Sequence, residues 1–161
     1  MEMTGEQLIP LPQEATWRAL NDSVILKECI PGCETIEQLS DSEYQLVMTA
    51  KVGPVSAKFK GKMTLSDVDP PRAYTLVFEG QGGVAGFAKG KATVQLEPGS
   101  DGTRLGYAVK AMVGGKLAQV GARLIDGVAK KMAEQFFTAF NQRMSGEKTE
   151  AIDEIKSLET K

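Results

Sequence analysis

Residues 55–67 read VSAKFKGKMTLSD, and this stretch decides the fold. Val55, Ala57, Phe59, Gly61, Met63 and Leu65 fall on one side of a two-residue period, and Ser56, Lys58, Lys60, Lys62, Thr64 and Ser66 fall on the other. Such alternation marks a half-buried strand with one covered and one wet face. The period continues in both directions. Upstream, Tyr44, Leu46, Met48 and Ala50 align. Downstream come Tyr74, Leu76 and Phe78, then Ala88, Gly90, Ala92, Val94 and Leu96, then Leu105, Tyr107, Val109 and Ala111. Turn signals separate the runs: Ser40-Asp41, Gly53-Pro54, Asp69-Pro70-Pro71, Gly82-Gly83 and PGSDG at 98–102. Strands joined by turns this short form an antiparallel meander.

The flanks complete the plan. Residues 2–9 read as a strand ended by Pro10. Pro12 opens a short helix with Glu14 in its first turn and Trp17 and Leu20 as apolar anchors. A second short helix covers Val24 to Cys29 and is closed by Pro31-Gly32. After Gly114-Gly115, the residues Leu117, Gly121, Leu124, Val128, Met132, Phe136 and Ala139 recur every three or four positions. That spacing predicts one long helix running to Met144 and lying across the sheet. A second stripe, Ala122, Ala129, Ala133, Phe140 and Met144 with Phe137 at its edge, is either covered by the N-terminal helices or open for docking. The expected fold is α+β: a curved seven-stranded antiparallel sheet wrapped around a long C-terminal helix, with two short N-terminal helices. The domain spans 1–144, and 145–161 is a polar tail in which Ile152, Ile155 and Leu158 hint at a helical extension.

Composition narrows the chemistry. The 161 residues are 42% hydrophobic and 25% charged with net charge −2, which fits one globular domain and not a basic nucleic-acid binder. There is no histidine, so Ser-His-Asp and Cys-His catalysis and His-ligated zinc or haem are excluded. Cys29 and Cys33 are spaced too widely for a C-x-x-C redox motif and read as two reduced apolar residues beside a turn. The opening MEMTGEQLIP has no leader pattern, and no apolar run reaches the ~18 residues of a membrane span. The expectation is a cytoplasmic protein without metal or cofactor.

The covered face is paved with small residues: Ala50, Ala57, Gly61, Gly80, Ala88, Gly90, Ala92 and Ala111. Either they let the helix approach closely, or they leave space between sheet and helix. Gly121, read as a mid-helix glycine facing the sheet, adds to that space. The candidate ligand-binding residues are Met48, Ala57, Phe59, Gly61, Met63, Leu76, Phe78, Ala88, Gly90, Tyr107 and Val109 on the sheet, with Leu117, Gly121, Leu124 and Val128 on the helix. No charged residue falls on the covered face of the central strands, so a ligand should be hydrophobic. Glu79, Glu97 and Asp67 point outward by parity, leaving Tyr107 and Tyr74 as the residues positioned for any catalysis. GQGGVAGFAKGK at 80–91 lacks the helix and Lys-Ser/Thr ending of a phosphate loop and reads as a glycine-rich hairpin. Lys58, Lys60, Lys62, Lys89 and Lys91 form an outward basic stripe, either a solvated face or a contact for an acidic partner or anionic lipid.

Several stretches resemble the carbon monoxide dehydrogenase G-subunit (CoxG) family, within the START and Bet v 1-like helix-grip superfamily. They are PQEATWRALND (12–22), CIPGC (29–33), VGPVSAKFKG (52–61), GFAKGKATVQL (86–96) and GGKLAQVGARLIDGVAKKMAEQFF (114–137). The resemblance implies a helix-grip fold whose sheet–helix cavity holds lipids, steroids, quinones or polyketides. It also implies a non-catalytic accessory protein that serves a molybdenum-containing dehydrogenase complex at the membrane or connects it with the quinone pool. Some relatives carry a hydrophobic C-terminal anchor, whereas this chain ends in EKTEAIDEIKSLETK, so membrane contact is expected to be peripheral. A monomer or weak homodimer is expected. The competing function is a small polyketide cyclase-like enzyme using the same pocket; the missing histidine and inward carboxylates favour the carrier.

Overall fold

The computed structural model describes residues 1–159, with side chains through residue 146. Strand β1 (Glu2–Ile9) leads into helices α1 (Gln13–Leu20) and α2 (Ser23–Cys29). Five hairpins then join β2 (Cys33–Ser40), β3 (Glu43–Val52), β4 (Val55–Asp69), β5 (Ala73–Gln81), β6 (Phe87–Gly99) and β7 (Gly102–Gly114), before helix α3 (Ala122–Glu159). The sheet order is β1-β7-β6-β5-β4-β3-β2, antiparallel throughout, so the first strand pairs with the last. Seven antiparallel strands, two short N-terminal helices and one long C-terminal helix make up the helix-grip arrangement expected from the sequence.

Local chemistry explains the element ends. Pro12, which has no N–H to leave unpaired, precedes α1, and Glu14 sits in its first turn. The Asp22 carboxylate accepts from the Val24 and Ile25 amides and caps α2. A buried hydroxyl pair ties α1 to the sheet: Thr16 donates to the Pro12 carbonyl at 2.9 Å, and Thr103 donates to the Leu11 carbonyl at 2.7 Å.

One expectation is corrected at the entry to the long helix. Residues Gly115–Val120 form a 3₁₀ segment, and the chain turns at Gly121 with φ +97° and ψ 150° before α3 begins at Ala122. Gly121 is therefore a hinge between two helical pieces, not a mid-helix residue. From there α3 runs 38 residues, about 57 Å at 1.5 Å per residue, and continues helical through Glu159. The side chains expected to drive that extension, Ile152, Ile155 and Leu158, lie outside the described residues.

The second apolar stripe of α3 divides between two surroundings. Phe137, Phe140 and Met144 are buried in a core cluster with Ala19, Leu20, Ile25 and Cys29 of the short helices and Tyr74, Val94, Leu96 and Leu105 of the sheet. Ala122 is exposed. The aromatic rings are layered here: Tyr107 stacks on Phe137 with centroids 5.5 Å apart, Phe136 stacks on Phe140 at 5.8 Å, and Trp17 meets Tyr74 edge-on at 5.2 Å. Large side chains thus fill the space between the sheet and the C-terminal part of the described helix.

A candidate ligand cavity under the long helix

The register turns the small residues into rows. Leu46, Gly61, Gly80, Ala88 and Val113 are successive partners across β3, β4, β5, β6 and β7. The parallel row through the other end of the sheet runs Tyr74, Val94, Tyr107 and Gly5. One row is aromatic and the other nearly bare. A straight helix spanning both must leave space over the bare one.

That space is a cavity of about 380 Å³. Its floor is the bare row with Met48, Phe59, Met63, Leu76 and Phe78; its roof is Ile125, Val128, Ala129 and Met132 of α3. Leu117 and Val52 close one end, and Met1, Met3 and Val109 line the side toward β1. Five of the seven methionines, Met1, Met3, Met48, Met63 and Met132, contribute to the lining. Their unbranched, polarizable side chains can follow ligands of different outline. The ionisable side chains of the lining are Lys62 and Glu79, register partners that are exposed to solvent and on outward parity.

Of the sequence-predicted residues, Met48, Phe59, Gly61, Met63, Leu76, Phe78, Ala88, Val109, Leu117 and Val128 lie on the cavity. Five lie elsewhere, each for a definable reason. Ala57 packs beside the cluster of Val52, Phe59, Ala85 and Leu117 that closes the cavity end. Gly90 permits close backbone contact: a Cβ there would collide with the Lys110 carbonyl oxygen and sit 2.8 Å from the Ala111 Cα. Tyr107 lies over Gly5, whose added Cβ would meet its ring, and stacks on Phe137. Gly121 is the exposed hinge. Leu124 is 39% exposed and rests against the β3–β4 turn at Gly53.

The candidate set leaves out Met1, Met3, Ile30, Leu46, Val52, Val113, Ile125, Ala129 and Met132 of the lining, the charged pair Lys62 and Glu79, and the small residues Ala50, Gly80 and Ala111, which the sequence places on the covered face only. Leu46 and Val113 carry the same inward parity as their neighbours and were legible from it. Met3 becomes an inward neighbour of Val109 only once β1 pairs with β7, a contact across the whole chain.

The remaining reactive groups lie off the cavity. Burial pushes the Tyr74 hydroxyl far above its ordinary range, with the neighbouring Tyr44 adding to the effect. Tyr107 is raised by burial and then by Glu134. Burial also raises both thiols, Cys29 further by Glu28, so neither is held as a reactive thiolate at neutral pH. The lysine stripe is interleaved with carboxylates: Lys58 lies 3.2 Å from Glu34, Lys62 lies 3.9 Å from Glu43, and Glu79 is flanked in register by Lys62 and Lys89.

Known structures share this architecture. A conserved protein from Geobacillus kaustophilus is 30% identical, with TM-score 0.84 over 91% of this chain and 96% of its own. A START superfamily protein from Mycobacterium smegmatis is 15% identical with TM-score 0.69, over 90% of this chain and 97% of its own. The Zhui aromatase/cyclase from Streptomyces sp. R1128 is 10% identical with TM-score 0.64, over 90% and 93%. The last two likenesses concern the fold alone. No curated protein matches the chain. The model of one family matches residues 5–145, which include the hinge, the cavity-roofing part of α3 and nearly the whole sheet. The chain belongs to the carbon monoxide dehydrogenase G-subunit (CoxG) family.

Proposed function

We propose that the protein is a non-catalytic carrier that holds a hydrophobic molecule, quinone-like or lipid-like, between sheet and helix. In this reading it acts as an accessory to a molybdenum-containing carbon monoxide dehydrogenase-type enzyme, as a monomer or weak homodimer. The observation that carries the ligand reading is the 380 Å³ apolar cavity over the Leu46-Gly61-Gly80-Ala88-Val113 row. Its volume falls within the ~300–1,000 Å³ of small-molecule sites. An apolar, partly open space of this size forgoes packing contacts that a filled core would make. An apolar occupant would supply those contacts. Family membership supports the accessory role.

A cyclase-like reaction in the same cavity would need an acid or base against the substrate. Lys62 and Glu79 face outward by parity, and Tyr74 and Tyr107 are engaged in the aromatic layer. The carrier therefore fits the lining better. Incubation with total lipid extract and with a short-chain quinone, followed by native mass spectrometry, tests the ligand. A retained apolar mass is expected, and a protein that emerges bare from both overturns the carrier reading. Co-purification with the dehydrogenase tests the accessory role separately.

A further inference from the structure

The chemistry of the cavity wall restricts a ligand more than the volume does. Apart from Lys62 and Glu79, every side chain of the lining is Met, Leu, Ile, Val, Phe or Ala, with Gly61 and Gly80 bare, and none of these carries an N–H or O–H. Lys62 and Glu79 are on outward parity and engaged there, Lys62 with Glu43 at 3.9 Å and Glu79 as acceptor from the Gln81 side-chain amide at 3.0 Å. The Met1 ammonium donates to the Ala111 carbonyl at 2.9 Å, and the Ala111 amide returns a bond to the Met1 carbonyl at 2.9 Å, so this terminus continues the β1–β7 ladder.

The backbone adds no donor over the floor. Residues 43–52 pair with 55–64 without a break, as do 73–81 with 87–95 and 87–99 with 102–114. The one register shift between β4 and β5 falls between Ser66 and Asp69, beyond the floor, so no bulge turns an amide inward. The roof amides belong to α3, beginning with Ile125, which donates to the Gly121 carbonyl at 3.2 Å. Burial and dispersion are therefore what this space offers a ligand. A methylene gains from both. A carbonyl or hydroxyl brought inside gives up its bonds to water and finds none in exchange, which weakens binding roughly 5- to 150-fold per group. A carboxylate or phosphate loses far more.

We propose that the cavity takes only the hydrocarbon chain of its ligand and that the polar head stays outside the lining. The proposal rests on the carrier reading and narrows it: the ligand class is a long-chain amphiphile, a prenylated quinone or an acyl lipid. Compact molecules with polar groups spread over a ring skeleton, tail-less quinones and polyketides among them, do not suit the wall. The five methionines of the lining can repack around a chain in any of its conformations. A head left outside keeps its hydrogen bonds to water and stays open to a partner enzyme while the chain is held.

Titration calorimetry on the full chain tests it with three sets of probes. Among n-alkanols of increasing length, affinity should rise about fourfold per added CH2, the ratio that ~0.8 kcal/mol per buried methylene gives, and level off once the chain fills the space. Gly80→Leu should bring that plateau to shorter chains. Methylnaphthalene should bind at least about 25-fold more tightly than menadione, which has the same rings and methyl group with two carbonyls added. A quinone with a decyl chain should bind about as tightly as the alkanol of the same chain, and dithionite should reduce its bound head to the quinol as fast as in detergent micelles. Met132→Gln and Met48→Gln each place an amide donor on the lining at little change in volume, and either should narrow the menadione gap about two- to tenfold. Melting curves check that the variants are folded. Menadione that binds as tightly as methylnaphthalene, or a bound decyl quinone shielded from dithionite, overturns the chain-only mode and leaves the carrier standing. A protein that binds none of the probes overturns the carrier and the chain-only mode with it.

Discussion

Filling the cavity from Gly80 separates space kept for a ligand from space that merely seats the helix. Gly80 lies on the bare row and lines the cavity, and the nearest heavy atom to its added Cβ is the Ala88 carbonyl oxygen at 3.9 Å. Gly80→Leu therefore projects four carbons into open volume. At ~0.8 kcal/mol per buried CH2 the ceiling is about 3 kcal/mol of added stability. The leucine loses roughly 0.5–1 kcal/mol of rotamer freedom, offset by a similar gain from removing glycine's entropy in the unfolded chain. A partly open cavity gives less than the ceiling, so a gain of about 1–3 kcal/mol is expected. For a chain of this size that is a Tm rise of roughly 2–10 °C. Close packing predicts the opposite sign, a loss of about 1–3 kcal/mol from overpacking. Thermal melts and quinone titrations on the same variant read both quantities. Stability held or raised with uptake reduced is the expected pair. A Tm several degrees lower, together with no uptake by wild type, refutes the reasoning. Gly61→Leu is a poorer test, because its Cβ would already meet Leu46 Cγ at 3.3 Å. Gly90→Ala is the control that must destabilise on either view, since its Cβ strikes backbone.

Three further outcomes are expected. Thr103→Val removes the buried hydroxyl that donates to Leu11 and leaves that carbonyl without it, so urea unfolding should show a loss of about 1–3 kcal/mol with quinone affinity unchanged. Gly121→Ala forces a side chain into φ +97° and should cost about 1–3 kcal/mol in thermal melts although open space surrounds the position. All three tyrosines, Tyr44, Tyr74 and Tyr107, are raised above the ordinary value of 10.0, chiefly by burial. Their neutral forms stabilise the fold fully below about pH 10, and that contribution drains away as pH climbs from there through the folded-state values. Tyrosinate absorbance should accordingly rise late and together with loss of structure; ordinary reversible titration near pH 10 in a folded protein would contradict it.

The meander was legible because its signal is local. Alternation in 55–67 and the turn residues at 53–54, 82–83 and 98–102 specify strands and hairpins without knowledge of distant contacts. The errors arose where two conformations share one pattern. Gly121 continues the spacing from Leu117, so the stripe ran through it, yet its positive φ breaks the helix there. Val128 and Met132 of the stripe still face the sheet, joined by Ile125 and Ala129, and Leu124 in the first turn of α3 points outward. Gly80 and Gly90 have the same parity on neighbouring strands, but one faces open volume and the other a carbonyl. Parity gives the face, and only strand register and sheet curvature give what stands opposite.

That distinction also explains why the cavity sits where it does. Every covered-face position carries the same parity, so small and large residues read as one mixed lining along the sequence. Register sorts them into rows, with Tyr74, Val94 and Tyr107 toward one end and Gly61, Gly80 and Ala88 toward the other. The helix answers with the same polarity, Phe136, Phe137 and Phe140 over the aromatic row and Val128, Ala129 and Met132 over the bare one. Tyr107 stacks on Phe137 with centroids 5.5 Å apart at one end, and the same continuous helix roofs the cavity at the other. The void therefore lies where small residues of the sheet face small and unbranched residues of the helix, and the rings fill the space between sheet and helix at the other end. Tyr107, one of the candidate ligand residues by parity, lies off the cavity lining and belongs to the aromatic row, stacked on Phe137.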